Sequence, residues 1–187
     1  PETAVKFYEK ALTINPDHAE AHYNLTIAYN NLGLAFMDLG KPNDAINCYE
    51  KALTLKPGDT EEQNNLGIAY SYNHLGNAYK SLGLLDAALK CYKNALDIKP
   101  DYAEAYANQA NTLKDFKRLD EALVSYESAS ALNPDLDSIF GDLLHTKMHL
   151  CLWDDLENRL DELTNKINDG EKVIGPFALL ALIDDLG

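Results

Sequence analysis

The sequence predicts an all-α fold, an α-solenoid in which pairs of short helices repeat along the chain. The first observation is a Tyr-x-x-Ala string with a proline five residues after its alanine, a combination that occurs four times. The second is two apolar sets spaced i, i+4, i+7 between Asp101 and Pro134, which indicate two amphipathic helices. The third is a Leu-Gly pair that recurs ahead of such strings. Because two short helices cannot bury their apolar faces alone, the copies must stack on one another.

Small and aromatic residues recur at fixed positions of these helix pairs. The tyrosines and prolines of the second helices are Tyr8, Tyr49, Tyr92 and Tyr126, and Pro16, Pro57, Pro100 and Pro134. The first helices carry Leu32-Gly33, Leu66-Gly67 and Leu75-Gly76, with an aromatic residue three positions after each glycine. With these residues the chain resembles the tetratricopeptide-repeat (TPR) family, whose helix–turn–helix unit has about 34 residues. The resemblance implies a right-handed tetratricopeptide-repeat superhelix over residues 1–136, followed by a helical linker.

Two intervals between the prolines exceed the 34 residues from Pro100 to Pro134: one has 41 residues and the next has 43. The extra residues lie near 25–26 and 67–72, where the start of a first helix occurs twice. Either the first helices are longer by seven and nine residues, or about 27 and 25 residues of further repeats are missing there. We favour missing residues, because a nine-residue extension rotates an apolar set by half a turn, towards solvent. The first repeat is partial, and both ends look cut.

Composition excludes several function classes. A net charge of −14 and a pI near 4.6 argue against binding to nucleic acid, whose phosphates need clustered Lys and Arg. The same charge argues against an anionic membrane surface. Cys48 and Cys91 share one repeat position, which indicates buried thiols in a reducing compartment and predicts a cytoplasmic protein. No nucleophile–base pair or metal-ligand set is present, so no catalytic residue and no metal site are predicted.

After Pro134 the repeat pattern changes, and residues 137–187 are predicted to be a terminal half-repeat and a helical linker or cap. One first helix is followed by a different helix over 154–168 and, after Gly175-Pro176, by an apolar run at 177–183. This run either covers the last repeat or packs on a following domain. In the second case the chain could also self-associate.

Leu143-Leu144-His145, Cys151-x-Trp153-Asp154 and Pro176-Phe177-Ala-Leu-Leu look like the junction between repeats and catalytic region in O-GlcNAc transferase-like glycosyltransferases. The resemblance implies the polypeptide-recognition arm of a protein O-linked glycosyltransferase, whose catalytic domain and UDP-sugar donor site lie outside this chain. No cofactor is expected in the chain itself. The alternative is a free-standing adaptor or scaffold that assembles protein complexes.

The candidate binding residues form a column on the first helices, which line the concave surface of such arrays. The column consists of Asn24, Asn31, Asn65 and Asn108, with His74 in the irregular copy, and its neighbours are Asn30, Asn64, Asn73, Asn77 and Asn111, with Lys80 and Lys114 as possible added charges. An amide offers a donor and an acceptor, so a column of amides can bind an extended polypeptide whatever its side chains. A similar asparagine ladder is associated with polypeptide binding in the O-GlcNAc transferases. The alternative is that the repeats favour Asn there as a local polar residue.

Two other kinds of site are disfavoured. A clamp for a C-terminal carboxylate needs several Lys or Arg on the first helices, where this chain has Asn, Glu and Ala. His145 and His149 are spaced i, i+4 and could lie on one side of a helix as metal ligands. We interpret them as a pair on the helix surface, because no HExxH arrangement accompanies them.

Overall fold

The computed structural model describes residues 1–55, 61–136 and 138–152, together with Asn158, Asp161, Thr164 and Asn165. Regular secondary structure in these residues is entirely helical, which confirms the predicted fold class. The eight helices are α1 (Glu2–Ile14), α2 (Ala19–Asp38), α3 (Pro42–Thr54), α4 (Glu61–Ser81), α5 (Leu85–Ile98), α6 (Ala103–Asp115), α7 (Leu119–Leu132) and α8 (Ile139–His149).

The helices form the predicted pairs of first and second helices. Helices α2, α4 and α6 pack on α3, α5 and α7, and short turns join the partners. The chain divides into two compact units, Pro1–Pro100 and Asp101–Gly187. The boundary after Pro100 falls between two repeats. The domain boundary predicted after residue 136 is a different one, based on the change of sequence pattern, and it remains a prediction.

The recurrent Ala and Tyr residues of the second helices form the core between partner helices. They are fully buried in α3, α5 and α7: Ala45, Tyr49, Ala52, Ala88, Tyr92, Ala95, Ala122, Tyr126 and Ala129 are all 0% exposed. The rings of Tyr49 and Tyr92 lie against Gly33 and Gly76 of the preceding first helix. A Cβ atom at Gly76 would lie 2.5 Å from Cε1 of Tyr92, so the tyrosine ring occupies the space of a side chain. This contact is the physical reason for these two Leu-Gly pairs.

Each of the three first helices ends in the same left-handed turn. Gly40, Gly83 and Lys117 have φ angles of 67°, 74° and 62°. In every copy this residue donates to the carbonyl three residues earlier, and the next residue donates to the carbonyl five residues earlier, over 2.8 to 3.0 Å. These bonds are a Schellman motif, in which glycine adopts positive φ without strain and Lys117 does not. Helix α8 ends in the same way at Cys151, with φ 57°, so it has the terminal turn of a first helix.

The irregular joints lie inside long, uninterrupted helices. Helix α2 has 20 residues and α4 has 21, and each contains both copies of the repeat start. Whether the native chain has further residues at 25–26 and 67–72 remains a prediction. The nine extra residues in α4 rotate the first of its two apolar sets, which includes Gly67, by half a turn. This set faces α2 and not only solvent, because Gly67 is buried and a Cβ atom there would lie 3.3 Å from Cγ2 of Thr26. Because α2 is also lengthened, its N-terminal half provides the surface that α4 covers.

A buried polar contact joins α2 to α4. The Oγ atom of Ser71 lies 2.9 Å from both Oδ1 of Asn30 and the carbonyl oxygen of Gly67, and its single proton is shared between these two acceptors. Asn30 Nδ2 in turn donates to the same carbonyl at 3.4 Å. Since buried amides and hydroxyls are costly unless paired, this arrangement favours one register between the two first helices.

The predicted helix at 154–168 and the apolar run at 177–183 lie outside the described residues, apart from Asn158, Asp161, Thr164 and Asn165, which are exposed. No helix in the described part of the chain combines the length and the apolar character needed to cross a bilayer. Cys48 and Cys91 are buried as predicted, and burial raises the pKa of the Cys91 thiol to about 11.

Candidate polypeptide-binding surface

The asparagine column divides into groups with different surroundings. Asn31 on α2 and Asn65 on α4 are exposed, and Asn24 and Asn108 are half-buried. No other described residue forms a hydrogen bond with the side-chain amide of Asn31 or Asn65. Because α2 and α4 pack side by side, both amides belong to the pair of first helices of one compact unit.

Asn77 and Asn111 are half-buried, and each is bonded to a tyrosine of the following second helix. Tyr92 donates to Oδ1 of Asn77 at 2.8 Å, and Tyr126 donates to Oδ1 of Asn111 at 2.7 Å. Each bond uses the amide oxygen and thereby orients the Nδ2 donors away from the tyrosine. These two asparagines therefore have a role in helix packing whether or not they also contact a ligand.

Asn30 and Asn73 were expected to widen the polar surface, but they are buried, with 7% and 3% exposure. Asn30 bonds to Gly67 and Ser71, so its amide belongs to the interface between α2 and α4. The physical reason for the burial of Asn30 is the lengthening of both helices, which brings Gly67 and Ser71 of α4 over it. The side chain of Asn64 lies outside the described part of the structure.

His74, the histidine of the column, lies against the second helix of the preceding pair. Its ring stacks on Tyr49 of α3, with centroids 5.6 Å apart and planes inclined by 23°. Burial lowers the pKa of His74, because the charged imidazolium is disfavoured away from water. His74 is therefore a neutral, partly buried member of the column at neutral pH.

The two lysines expected near the column both interact with other residues of the structure. Lys114 forms a 2.9 Å ion pair with Asp142 of α8 and lies 5.6 Å from the ring centroid of Tyr126. It is thus part of the packing among α6, α7 and α8. Lys80 is half-buried at the end of α4 and makes a further contact within the structure.

Sequence reasoning missed the tyrosine–asparagine bonds and the apolar residues beside the column. The sequence does contain a signal for these bonds, because Asn77 and Asn111 each precede the bonded tyrosine by the same 15 residues. Ile27, Leu34 and Tyr70 expose 36%, 39% and 37% of their surface on α2 and α4. Ile27, Asn31 and Leu34 give α2 a stripe in which an amide lies between two apolar residues at helical spacing.

The side chains of this surface are suited to non-covalent binding of another molecule. Its amides can donate to carbonyls and accept from N–H groups, and its apolar residues can cover aliphatic side chains. In the described part of the chain, no group of three or more His, Cys, Asp or Glu residues is placed to hold a metal ion.

Comparison with known proteins gives one consistent family and fold. Models described as "Tetratricopeptide repeat" or "TPR repeat" match residues 26–59, 103–136, 2–33 and 76–115. A search of curated protein sequences gave no match. Among solved structures, the crystal structure of MamA is 22% identical with a TM-score of 0.65, covering 89% of this chain and 88% of that one.

Two structures of RPAP3 are similar over a shorter part of this chain. The first TPR of Spaghetti (RPAP3), bound to the HSP90 peptide SRMEEVD, is 21% identical with a TM-score of 0.59, covering 67% of this chain and 93% of that one. The second TPR domain of human RPAP3, in complex with the HSP70 peptide SGPTIEEVD, is 22% identical with a TM-score of 0.55, covering 65% and 94%. At these identities the likeness shows the fold.

Proposed function

Because this chain belongs to the tetratricopeptide-repeat family, we propose that it is a protein-interaction module that binds extended polypeptide on its first helices. The observation that carries the proposal is the pair of exposed amides, Asn31 and Asn65, on neighbouring helices α2 and α4. An amide side chain can bond to the main chain of any peptide, so recognition would tolerate many sequences.

The exposed apolar residues of the same two helices support this proposal. Ile27 and Leu34 lie four residues before and three residues after Asn31, and so on the same side of α2. They offer contact area to peptide side chains, while the amides bond to the main chain. This combination favours an extended polypeptide over a small polar ligand.

The test is binding of fluorescent peptides of unrelated sequence to a variant with Asn31→Ala and Asn65→Ala. We expect affinity to fall by a similar factor for every peptide that binds, about tenfold for each lost pair of hydrogen bonds. The matched control is Asn47→Ala, because Asn47 is also exposed but lies on the second helix α3. Equal affinities of the double variant and the control would reject the proposed surface.

We further propose that this module is the substrate-recognition arm of a protein O-linked glycosyltransferase of the O-GlcNAc transferase-like type. The support is the junction sequence, of which Leu143, Leu144 and His145 lie on α8 and Cys151 in its terminal turn. Trp153, Asp154, Pro176 and Phe177 lie outside the described residues.

The coding sequence that surrounds this segment tests the finer proposal. A downstream region of several hundred residues with a UDP-sugar site is expected, and the recombinant protein should then transfer sugar to polypeptides. A coding sequence without such a region would favour the adaptor instead. That result would leave the peptide-binding proposal intact, since binding is measured on this chain alone.

A further inference from the structure

The two histidines of α8 are much closer than their spacing alone requires. Nε2 of His145 and Nε2 of His149 lie 3.1 Å apart, and the ring centroids lie 4.4 Å apart with the planes inclined by 85°. Without a bound cation, one imidazole N–H can donate to the lone pair of the other. The same two nitrogen atoms are the usual metal-binding atoms of neutral histidine.

We propose that His145 and His149 bind one divalent late transition-metal ion, such as Ni²⁺, Cu²⁺ or Zn²⁺. Typical metal–nitrogen bonds of 2.0–2.1 Å, together with the observed nitrogen separation of 3.1 Å, give an N–metal–N angle of roughly 95–100°. That angle is close to the cis positions of square-planar or octahedral coordination, which suit Ni²⁺ and Cu²⁺. Water molecules would complete the coordination sphere.

The position of the pair in α8 also favours a cation. His149 is the last residue of the helix, where the negative end of the helix dipole attracts positive charge. The other charged side chains of α8 are occupied elsewhere: Asp142 pairs with Lys114 at 2.9 Å, and Lys147 pairs with Glu127 at 3.1 Å. Neither ion pair needs to break for a metal ion to reach the imidazoles.

His145 occupies a position of α8 that corresponds to a repeated position of the first helices. Asn77, Asn111 and His145 follow each other at intervals of 34 residues, so His145 takes in α8 the place of the tyrosine-bound asparagines in α4 and α6. The metal site does not depend on the proposed peptide binding, because that proposal rests on Asn31 and Asn65 of α2 and α4, whereas both metal ligands lie on α8.

The experiment is a calorimetric titration of the chain, free of any histidine tag, with NiCl₂. We expect one Ni²⁺ per chain, and an affinity that is at least about tenfold weaker in the His149→Gln variant, which loses half of the chelate. His149 is exposed, so this variant retains the fold. The matched control is His18→Asn, which removes an exposed histidine at the start of α2 and keeps a capping side chain.

Thermal unfolding gives a second readout. Ni²⁺ should raise the midpoint of the wild-type chain and of the His18→Asn variant, because an ion that binds only the folded helix stabilises it. At the same Ni²⁺ concentration the midpoint of His149→Gln should rise less, because this variant binds the ion more weakly. A Cys151→Ser variant should bind as the wild type does. Absence of Ni²⁺ binding, equal binding by His149→Gln, or loss of binding only in Cys151→Ser would each overturn the proposal.

Discussion

The hydroxyl group of Tyr92 donates a 2.8 Å hydrogen bond to Oδ1 of Asn77, so a residue predicted to contact a ligand also fixes two helices of its repeat. Tyr126 and Asn111 repeat this bond at 2.7 Å in the second compact unit. In the pair formed by α2 and α3, Leu34 takes the place of the asparagine, 15 residues before Tyr49. The hydroxyl of Tyr49 is buried and has no hydrogen-bond partner in the described structure.

This difference predicts opposite responses to the same substitution. Tyr92→Phe and Tyr126→Phe should each lower the free energy of unfolding by about 1 kcal/mol, the net value of one hydrogen bond. Tyr49→Phe should leave it unchanged or raise it, because the substitution removes a buried hydroxyl that bonds to nothing described. Urea unfolding of the three variants measures the effect. A loss in Tyr49→Phe as large as in the other two would contradict this account of the buried hydroxyls.

The left-handed turn at Lys117 predicts a stabilising substitution. Lys117 has φ 62° where the equivalent turns have Gly40 and Gly83. Lys117→Gly should therefore raise the free energy of unfolding by about 1 kcal/mol, since a residue with a side chain is strained in this conformation. Thermal or urea unfolding provides the measurement, with Gly83→Ala as the converse variant. If Lys117→Gly destabilises the chain and Gly83→Ala does not, the turns are not equivalent.

The buried histidine predicts a dependence of stability on pH. Because burial holds the pKa of folded His74 below the value near 6.5 of an unfolded histidine, the unfolded chain binds more protons between the two values. The free energy of unfolding should fall as the pH decreases from about 6.5 through the folded pKa. His74→Asn, which introduces the residue found at Asn31 and Asn108, should make this decrease smaller.

Urea unfolding at a series of pH values between 7 and 5 measures this effect. The matched control is His18→Asn, which makes the same substitution at an exposed histidine. An unchanged pH profile in His74→Asn would show that the stacked imidazole does not titrate as its burial implies.

Local pattern predicted the helix pairs, since their determinants lie within one repeat. The alanines and tyrosines of the second helices, such as Tyr92 and Ala95, are buried where their spacing places them. Gly76 follows from the same local logic, because the ring of Tyr92 occupies its side-chain space.

The candidate surface could be predicted only in part, because burial of its polar residues depends on contacts between repeats. Asn30 is buried by Gly67 and Ser71, 37 and 41 residues away, after both first helices lengthen. Lys114 is paired with Asp142, 28 residues away. Neither partner is visible in the local pattern, which marks Asn30 and Asn31 as equally available.

The central claim is that amides of the first helices α2 and α4 bind polypeptide, and side-chain NH₂ resonances in ¹H–¹⁵N spectra test it most directly. Addition of a bound peptide should shift the resonances of Asn31 and Asn65, which are exposed, and leave that of Asn47 on α3 in place. Shifts at Asn47 and its neighbours on second helices, with Asn31 and Asn65 unchanged, would contradict the claim.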